Sequence, residues 1–546
     1  MREDHISSTT MKRCAPPPKC ERLGLYSTLF YCGRVITRRF IHSLLGVGIA
    51  LSAFPESVVA QPPIVHYLLP AGLWPGEPTT IQFFGESLQG ARQVWTSFKA
   101  AVEIPEGDAP NARLFVSEQT PAGIGAIRLI TTNGVSGLRL VLIDPLPPVV
   151  SNGTNHSVSS AQSLKPPVAV DGGCDELAAD FYRLTVRQGQ RLTFEVVAQR
   201  LGSPLDARLR LIDAQGRELA ANDDASGSDP VLRHTFNASG ECLVEIRDTR
   251  HQGGPRHRYR LRIGEFEARP LPFLADGMDA PKQSAASQEQ EPNDQPARAQ
   301  TMALPALLRG RFERSGDRDL FEFSAKKDQR LVFSGRTRSL GSPCDLFLQL
   351  QSTNGTVLAE ANVSGADEGS ITNTFKQDGR YRLLVEELNQ RGGPGFYYEL
   401  TAAAWTPGFT LTVETERISG PPGSEVEITV TAQRRDFDGP ILLRADAKGP
   451  VIEVTNQIIA AKSNETKLKI TMPEELTFGN FLPFSIIGTA NLAGTNVTVR
   501  ASTMPALRTI WPEMPYPPPA LDGSIALGVS ENKSATPAPA RKKKKN

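Results

Sequence analysis

Apolar side chains recur at every second position along this chain in short runs, and the runs break at glycine, proline, asparagine or aspartate. Tyr182, Leu184 and Val186 alternate with Arg183, Thr185 and Arg187; Gln188-Gly189-Gln190 then turns the chain, and Leu192, Phe194 and Val196 alternate on the way back. A period of two sends successive side chains to opposite faces of a strand, so this segment reads as a hairpin with one buried face. Leu209 with Leu211, Val244 with Ile246 and Tyr259 with Leu261 continue the pattern, and Gln215-Gly216 marks a further turn. The same scheme returns in Phe321, Phe323, Leu331, Phe333, Leu348, Leu350, Val385, Tyr398 and Leu400. Nothing with a helical period competes, which makes the fold class all-β, a tandem array of β-sandwiches.

The second scheme is a copy of the first. Asp180 to Leu261 can be laid over Asp319 to Leu400 without a gap, and Leu201-Gly202-Ser203-Pro204 with Gly253-Gly254-Pro255 meets Leu340-Gly341-Ser342-Pro343 with Gly392-Gly393-Pro394. A period this long exceeds that of solenoid repeats, so each copy is expected to be a domain of its own. Around the copies, Thr80 to Gly85, Gly123 to Ile130 and Leu138 to Ile143 read as strands of a sandwich over 62–148. Val413, Val426, Ile428, Val430, Ile441 to Leu443, Leu468, Ile470, Val497 and Val499 read as those of another over 406–503. The copies occupy 149–265 and 289–404, joined by a Pro-, Ala-, Ser- and Gln-rich stretch, 266–288, that is expected to be a flexible tether. From 504 to 546, prolines and Arg541-Lys542-Lys543-Lys544-Lys545 describe a disordered tail.

At 546 residues the chain has room for three or four domains. Sixty Lys and Arg residues against 59 Asp and Glu residues leave a net charge of +1, which argues against nucleic acid as the main partner, the C-terminal lysine run being the exception. In 1–60, a basic stretch at Arg38-Arg39 runs into the apolar segment Ile41 to Phe54 and the small residues Val58-Val59-Ala60, the order of an export signal. The paired arginines fit the twin-arginine route, His42 interrupts the apolar tail that route prefers, and both export routes stay open. No other run approaches a membrane span, so the mature protein is expected to lack a transmembrane segment and to be secreted, periplasmic or held at the cell surface. Cys174, Cys242 and Cys344 remain after export; they read as buried thiols, with a Cys174 to Cys242 disulfide as the alternative. Trp95 and Trp405 read as core or junction packing, and Trp511 falls in the tail.

In the second copy, Glu289-Gln290-Glu291-Pro292-Asn293-Asp294 leads to Gly316-Asp317-Arg318-Asp319-Leu320-Phe321, then to Gly379-Arg380-Tyr381 and Tyr398-Glu399-Leu400. This order resembles the bacterial pre-peptidase C-terminal domain, a jelly-roll-like sandwich appended to secreted proteases and found in some bacterial collagenases as the collagen-binding module. Likewise Pro70-Ala71-Gly72, Pro75-Gly76 and the strand closing on Gly85 resemble the immunoglobulin-like IPT/TIG modules. The 406–503 segment is taken as immunoglobulin-like too. The first resemblance implies a calcium site formed by the acidic linker and by carboxylates at the start of the next strand: Glu289, Glu291, Asn293, Asp294, Asp317 and Asp319. Calcium takes six to eight oxygen ligands, several of them charged, which suits this set. The first copy has Ser151, Gly153, Asn155 and His156 opposite the linker residues and Ala178 opposite Asp317, so Ca2+ is expected in the second copy only. The family's row of collagen-binding tyrosines finds little counterpart, since Tyr381 and Tyr398 fit the buried pattern.

A second acidic group, Asn222-Asp223-Asp224 with Asp229, loses its carboxylates in the other copy and reads as a polar loop. His66, His156, His234, His251 and His257 form no His-Glu-x-x-His motif, and Gly134-Val135-Ser136-Gly137 lacks the five-residue nucleophile-elbow form. The expectation is a non-catalytic secreted or surface protein for adhesion, assembly or substrate binding, whose partner is an extracellular protein or polysaccharide matrix. The alternative is an accessory or remnant of a secreted protease.

Overall fold

The computed structural model describes residues 61–107, 110–223, 227–276, 286–362 and 368–530. The expected export signal over 1–60 and the lysine run at 541–545 lie outside the described residues. The chain is a tandem array of β-sandwiches. In the first repeat one sheet runs in the order Pro148–Val150, Val168–Gly173, Arg258–Gly264, Arg191–Val197, Val231–Thr235. The facing sheet runs Gln162–Ser163, Asp180–Val186, Gly240–Asp248, Ala207–Asp213, Glu218–Asn222. The second repeat reproduces both orders, from Ser287–Gln288 and Ala306–Arg311 onward in one sheet and from Gln300–Thr301 and Arg318–Ala325 in the other. Register is kept as well. Asp180 faces Ile246 and Asp319 faces Val385, while Val196 faces Leu261 and Gly335 faces Leu400.

Each repeat encloses its own core. Tyr182, Phe194, Val244 and Leu261 fill the first, and Phe321, Phe333, Val385 and Leu400 the second. The alternation in the sequence arises here, since only one face of each sheet meets its partner sheet. The cysteines are free thiols buried in these cores, so the Cys174 to Cys242 bridge does not form.

The N-terminal sandwich departs from one-sided burial. All nine residues of its central strand Gly123–Thr131 are buried. Ile127 and Leu129 face its own core, whereas Ile124 and Ala126 face a separate cluster with Leu507, Trp511 and Leu521. The covering element is a helix, Met504–Ile510, which begins with a proline in its first turn. The Asp522 carboxylate accepts the Thr503 amide at 2.7 Å at the start of that helix. Trp511 then lies against Gly202 of the first repeat, where an added Cβ would come within 2.4 Å of the indole.

The expected disordered tail is therefore corrected up to Ser530. Beyond the helix, Ile525–Val529 is a fully buried strand between Arg417–Gly420 and Phe481–Leu492 in the C-terminal sandwich, which does not end at Thr503. Five consecutive residues without a charge after Gly523 form a short run suited to burial on both faces, and the prolines before it obscure that signal. The 266–288 tether is corrected in part. Pro272 and Leu274 exchange backbone hydrogen bonds with Ile124 at 2.8 Å, and Ser287–Gln288 pairs with the second repeat; 277–285 lie outside the described residues.

The modules close on one another. Arg128 of the N-terminal sandwich and Glu416 of the C-terminal one form a buried ion pair at 2.5 Å, and Trp95 packs against Phe481. Arg417 donates to the Pro63 carbonyl at 3.0 Å, and Ser530 donates its amide to Gly420 and forms a bridge with Asn133. At the other junction, Trp405 lies between the guanidinium groups of Arg330 and Arg435 and donates to Asp436 at 2.6 Å. Among the described residues no helix is long and apolar enough to cross a membrane.

Candidate metal centre in the second repeat

The segment Glu289 to Asp294 is drawn onto the sandwich by backbone and glutamine contacts. Glu289 donates its amide to the Arg309 carbonyl at 2.9 Å, and the Gln300 side chain accepts from the Gln290 amide at 2.8 Å while donating to the Gln288 carbonyl at 3.1 Å. The linker then crosses the start of Arg318–Ala325, where Leu320 donates to the Asn293 carbonyl. Strand alternation turns Asp319 inward at that point, where it is fully buried.

Of the six residues singled out, the fold gathers carboxylate oxygens of Glu289, Glu291 and Asp319 within 4.8 Å of one another. Asn293, also fully buried, joins them by donating to Glu289 at 3.0 Å. Asp294 and Asp317 stand beside the cluster, Asp294 in an ion pair with Arg314 at 3.0 Å and Asp317 accepting the Glu313 amide at 2.6 Å. Two roles were not legible in the sequence. Tyr398 donates to Asp319 at 2.7 Å, and Arg314 neutralises part of the acidic set. Tyr398 already read as a core residue, and its hydroxyl contact depends on strands far apart in sequence.

The cluster holds more negative charge than its partners neutralise. Burial, with Glu289 beside it, pushes the Asp319 carboxyl up to about 10. Burial also raises Glu291 against the pull of the Asn293 amide, and raises Asp317, which the neighbouring Asp294 pushes further. Two buried oxygens are left short of partners: Asn293 Oδ1 has none, and Asp319 Oδ1 faces only the neighbouring Glu289 carboxylate. Buried polar atoms are rarely left so, because the loss of water is then uncompensated. Amide and carboxylate oxygens are the donors that calcium takes, so the set fits that ion.

The first repeat keeps the scaffold and changes the chemistry. Asn152 and Gln162 repeat the glutamine contact at 2.8 Å, Ser151 donates to Asn155 at 3.0 Å, and Tyr259 donates to the buried Asp180 at 2.5 Å. Here the Asp180 carboxylate meets His156 at 3.2 Å. Of the other acidic group, Asp229 supports the fold by accepting the Gln199 and Arg200 amides at the 3-10 turn Gln199–Leu201, and Glu368 accepts those of Thr337 and Ser339; Asp224 lies outside the described residues. Ser136 is buried, with its hydroxyl bonded to Leu129 and Gly137.

No protein-family model matches the chain. A stretch of 68 residues is 38% identical to a protein of Deinococcus radiodurans named as a probable subtilase-type serine protease; it is 12% of this chain and 9% of that protein. Among solved structures, the pre-peptidase C-terminal domain of a collagenase from Bacillus anthracis matches 21% of this chain and 99% of its own length, at 16% identity and a TM-score of 0.17.

Proposed function

We propose that this chain is a non-catalytic, exported binding scaffold whose second repeat is a pre-peptidase C-terminal-type module that fastens its linker with calcium. The observation that carries this reading is the gathering of the Glu289, Glu291 and Asp319 carboxylates around the buried, unpartnered Asn293 Oδ1. Those four residues would hold the ion, with Asp294 and Asp317 next to them. Its charge would allow Asp319 to remain ionised and would tie the linker to the strand that follows. The first repeat, with serine, glycine and histidine at three of the linker positions, is excluded from this role.

The test is calorimetric titration of the full chain with calcium, beside Glu291→Ala and Asp319→Asn. Saturable binding by the wild type, lost in both variants, is the expected result. The absence of heat at millimolar calcium, with no change in melting temperature, would remove the metal from the reading.

The likeness to a subtilase-type protease favours a more particular role, an accessory to extracellular proteolysis that captures substrate or aids export of a separate catalytic chain. The purified chain would then leave casein intact by itself and alter the activity of a co-secreted protease. Adhesion to an extracellular protein or polysaccharide matrix is the other use for such a scaffold.

A further inference from the structure

In the first repeat the place of the acidic linker's last carboxylate is taken by an imidazole. His156 aligns with Asp294, and its ring nitrogens lie 3.2 Å from Asp180 and 3.7 Å from Asp175. Asp180 is buried and Asp175 is exposed; the first lies on the strand Asp180–Val186 and the second on the turn before it. From the opposite sheet Tyr259 donates to Asp180, and its hydroxyl meets that of Tyr182 at 2.5 Å. The buried Cys174 thiol stands near both carboxylates. Ser151 and Asn155, on the histidine's own segment, pair with each other. Among the described residues neither carboxylate pairs with a lysine or arginine. Among the described residues His156 is thus the one basic side chain paired with Asp180, and the aligned aspartate in the second repeat stands beside the carboxylate cluster.

We propose that the protonated imidazole of His156 is the built-in counter-cation of the first repeat, so that a proton latches its linker to the sandwich without any metal. The latch holds while the histidine–aspartate pair keeps its proton and loosens as rising pH removes it. Burial pushes the Asp180 carboxyl above its ordinary value, and Tyr259 and His156 pull it back toward the ionised form. Loss of the proton removes the positive charge beside the buried carboxylate, which keeps the Tyr259 hydroxyl and at most a neutral imidazole N–H, and the segment Asn152 to Ser160 then opens more often. Histidine is the side chain suited to this, because its charge changes near neutral pH.

Hydrogen exchange of the full chain in EDTA, from about pH 5.5 to pH 8.5 and corrected for intrinsic exchange, tests the proposal. Peptides covering Asn152 to Ser160 are expected to lose protection at least about threefold as pH rises. His156→Gln is expected to show the weaker protection at every pH. His156→Lys, whose charge persists over the range, is expected to hold protection flat. PH-independent protection in the wild type would overturn the proposal, as would His156→Gln behaving like the wild type.

Discussion

Arg260 is completely buried, with Asp144 and Asp171 on either side, and it joins the N-terminal sandwich to the first repeat. Asp171 also accepts the Ala71 amide at 2.9 Å. Gly72 beside it has no room for a side chain, since an added Cβ would fall 2.2 Å from the guanidinium carbon. Removing one member of such a group leaves an uncompensated charge. Arg260→Met is therefore expected to cost about 3–5 kcal/mol in urea unfolding, and Arg260→Met with Asp171→Asn less than the sum of the two single changes. None of this was legible in Pro70-Ala71-Gly72, which carried only the resemblance to a module, because Arg260 lies between Tyr259 and Leu261, where the alternation turns it away from the core. The carboxylates at 289, 291 and 319 were legible through the family resemblance, and the first two also as differences between the copies. Their partners Tyr398 and Arg314 were not, because which side chain reaches which carboxylate depends on the three-dimensional pairing of strands.

At the scale of elements, the sheet strands were readable wherever one face meets solvent. Where both faces are covered less was readable: Gly123 to Ile130 read as a strand but not as one buried twice, and Ile525–Val529 was missed. Gly123–Thr131 owes its second buried face to the helix Met504–Ile510, and Ile525–Val529 lies inside a sheet, so neither needs alternation. A strand buried twice looks like a plain apolar run, and one preceded by a proline-rich segment is easily passed over. Trp511 shows how much depends on this stretch. Its indole contacts Gly202 and belongs to the apolar cluster shared by the N-terminal sandwich and the first repeat. Trp511→Ala is expected to destabilise the protein by about 3–5 kcal/mol in chemical denaturation. Truncation after Thr503 should go further and abolish cooperative unfolding of the C-terminal sandwich as followed by near-ultraviolet circular dichroism.

For the whole molecule, the two repeats share a scaffold and differ in how each linker is fastened. In the metal-free second repeat Asp319 keeps its proton up to about pH 10, whereas an unfolded aspartate gives it up near pH 4. The folded form thus binds the extra proton, and its stability should fall as pH rises through that interval. Calcium requires the carboxylate, so its uptake should expel a proton and reverse that decline. Titrations in buffers of different ionisation enthalpy would show the proton as a buffer-dependent heat.

The seam between the first and last sandwiches has a mechanical meaning. Pro63 and Ser530, near the two ends of the described residues, both meet the strand Arg417–Gly420 or its flank. Tension applied through those ends would be borne by the Arg128 to Glu416 pair and the strand contacts around it. The two repeats, fastened to their neighbours through Arg260 and Trp405, would lie off that line of force.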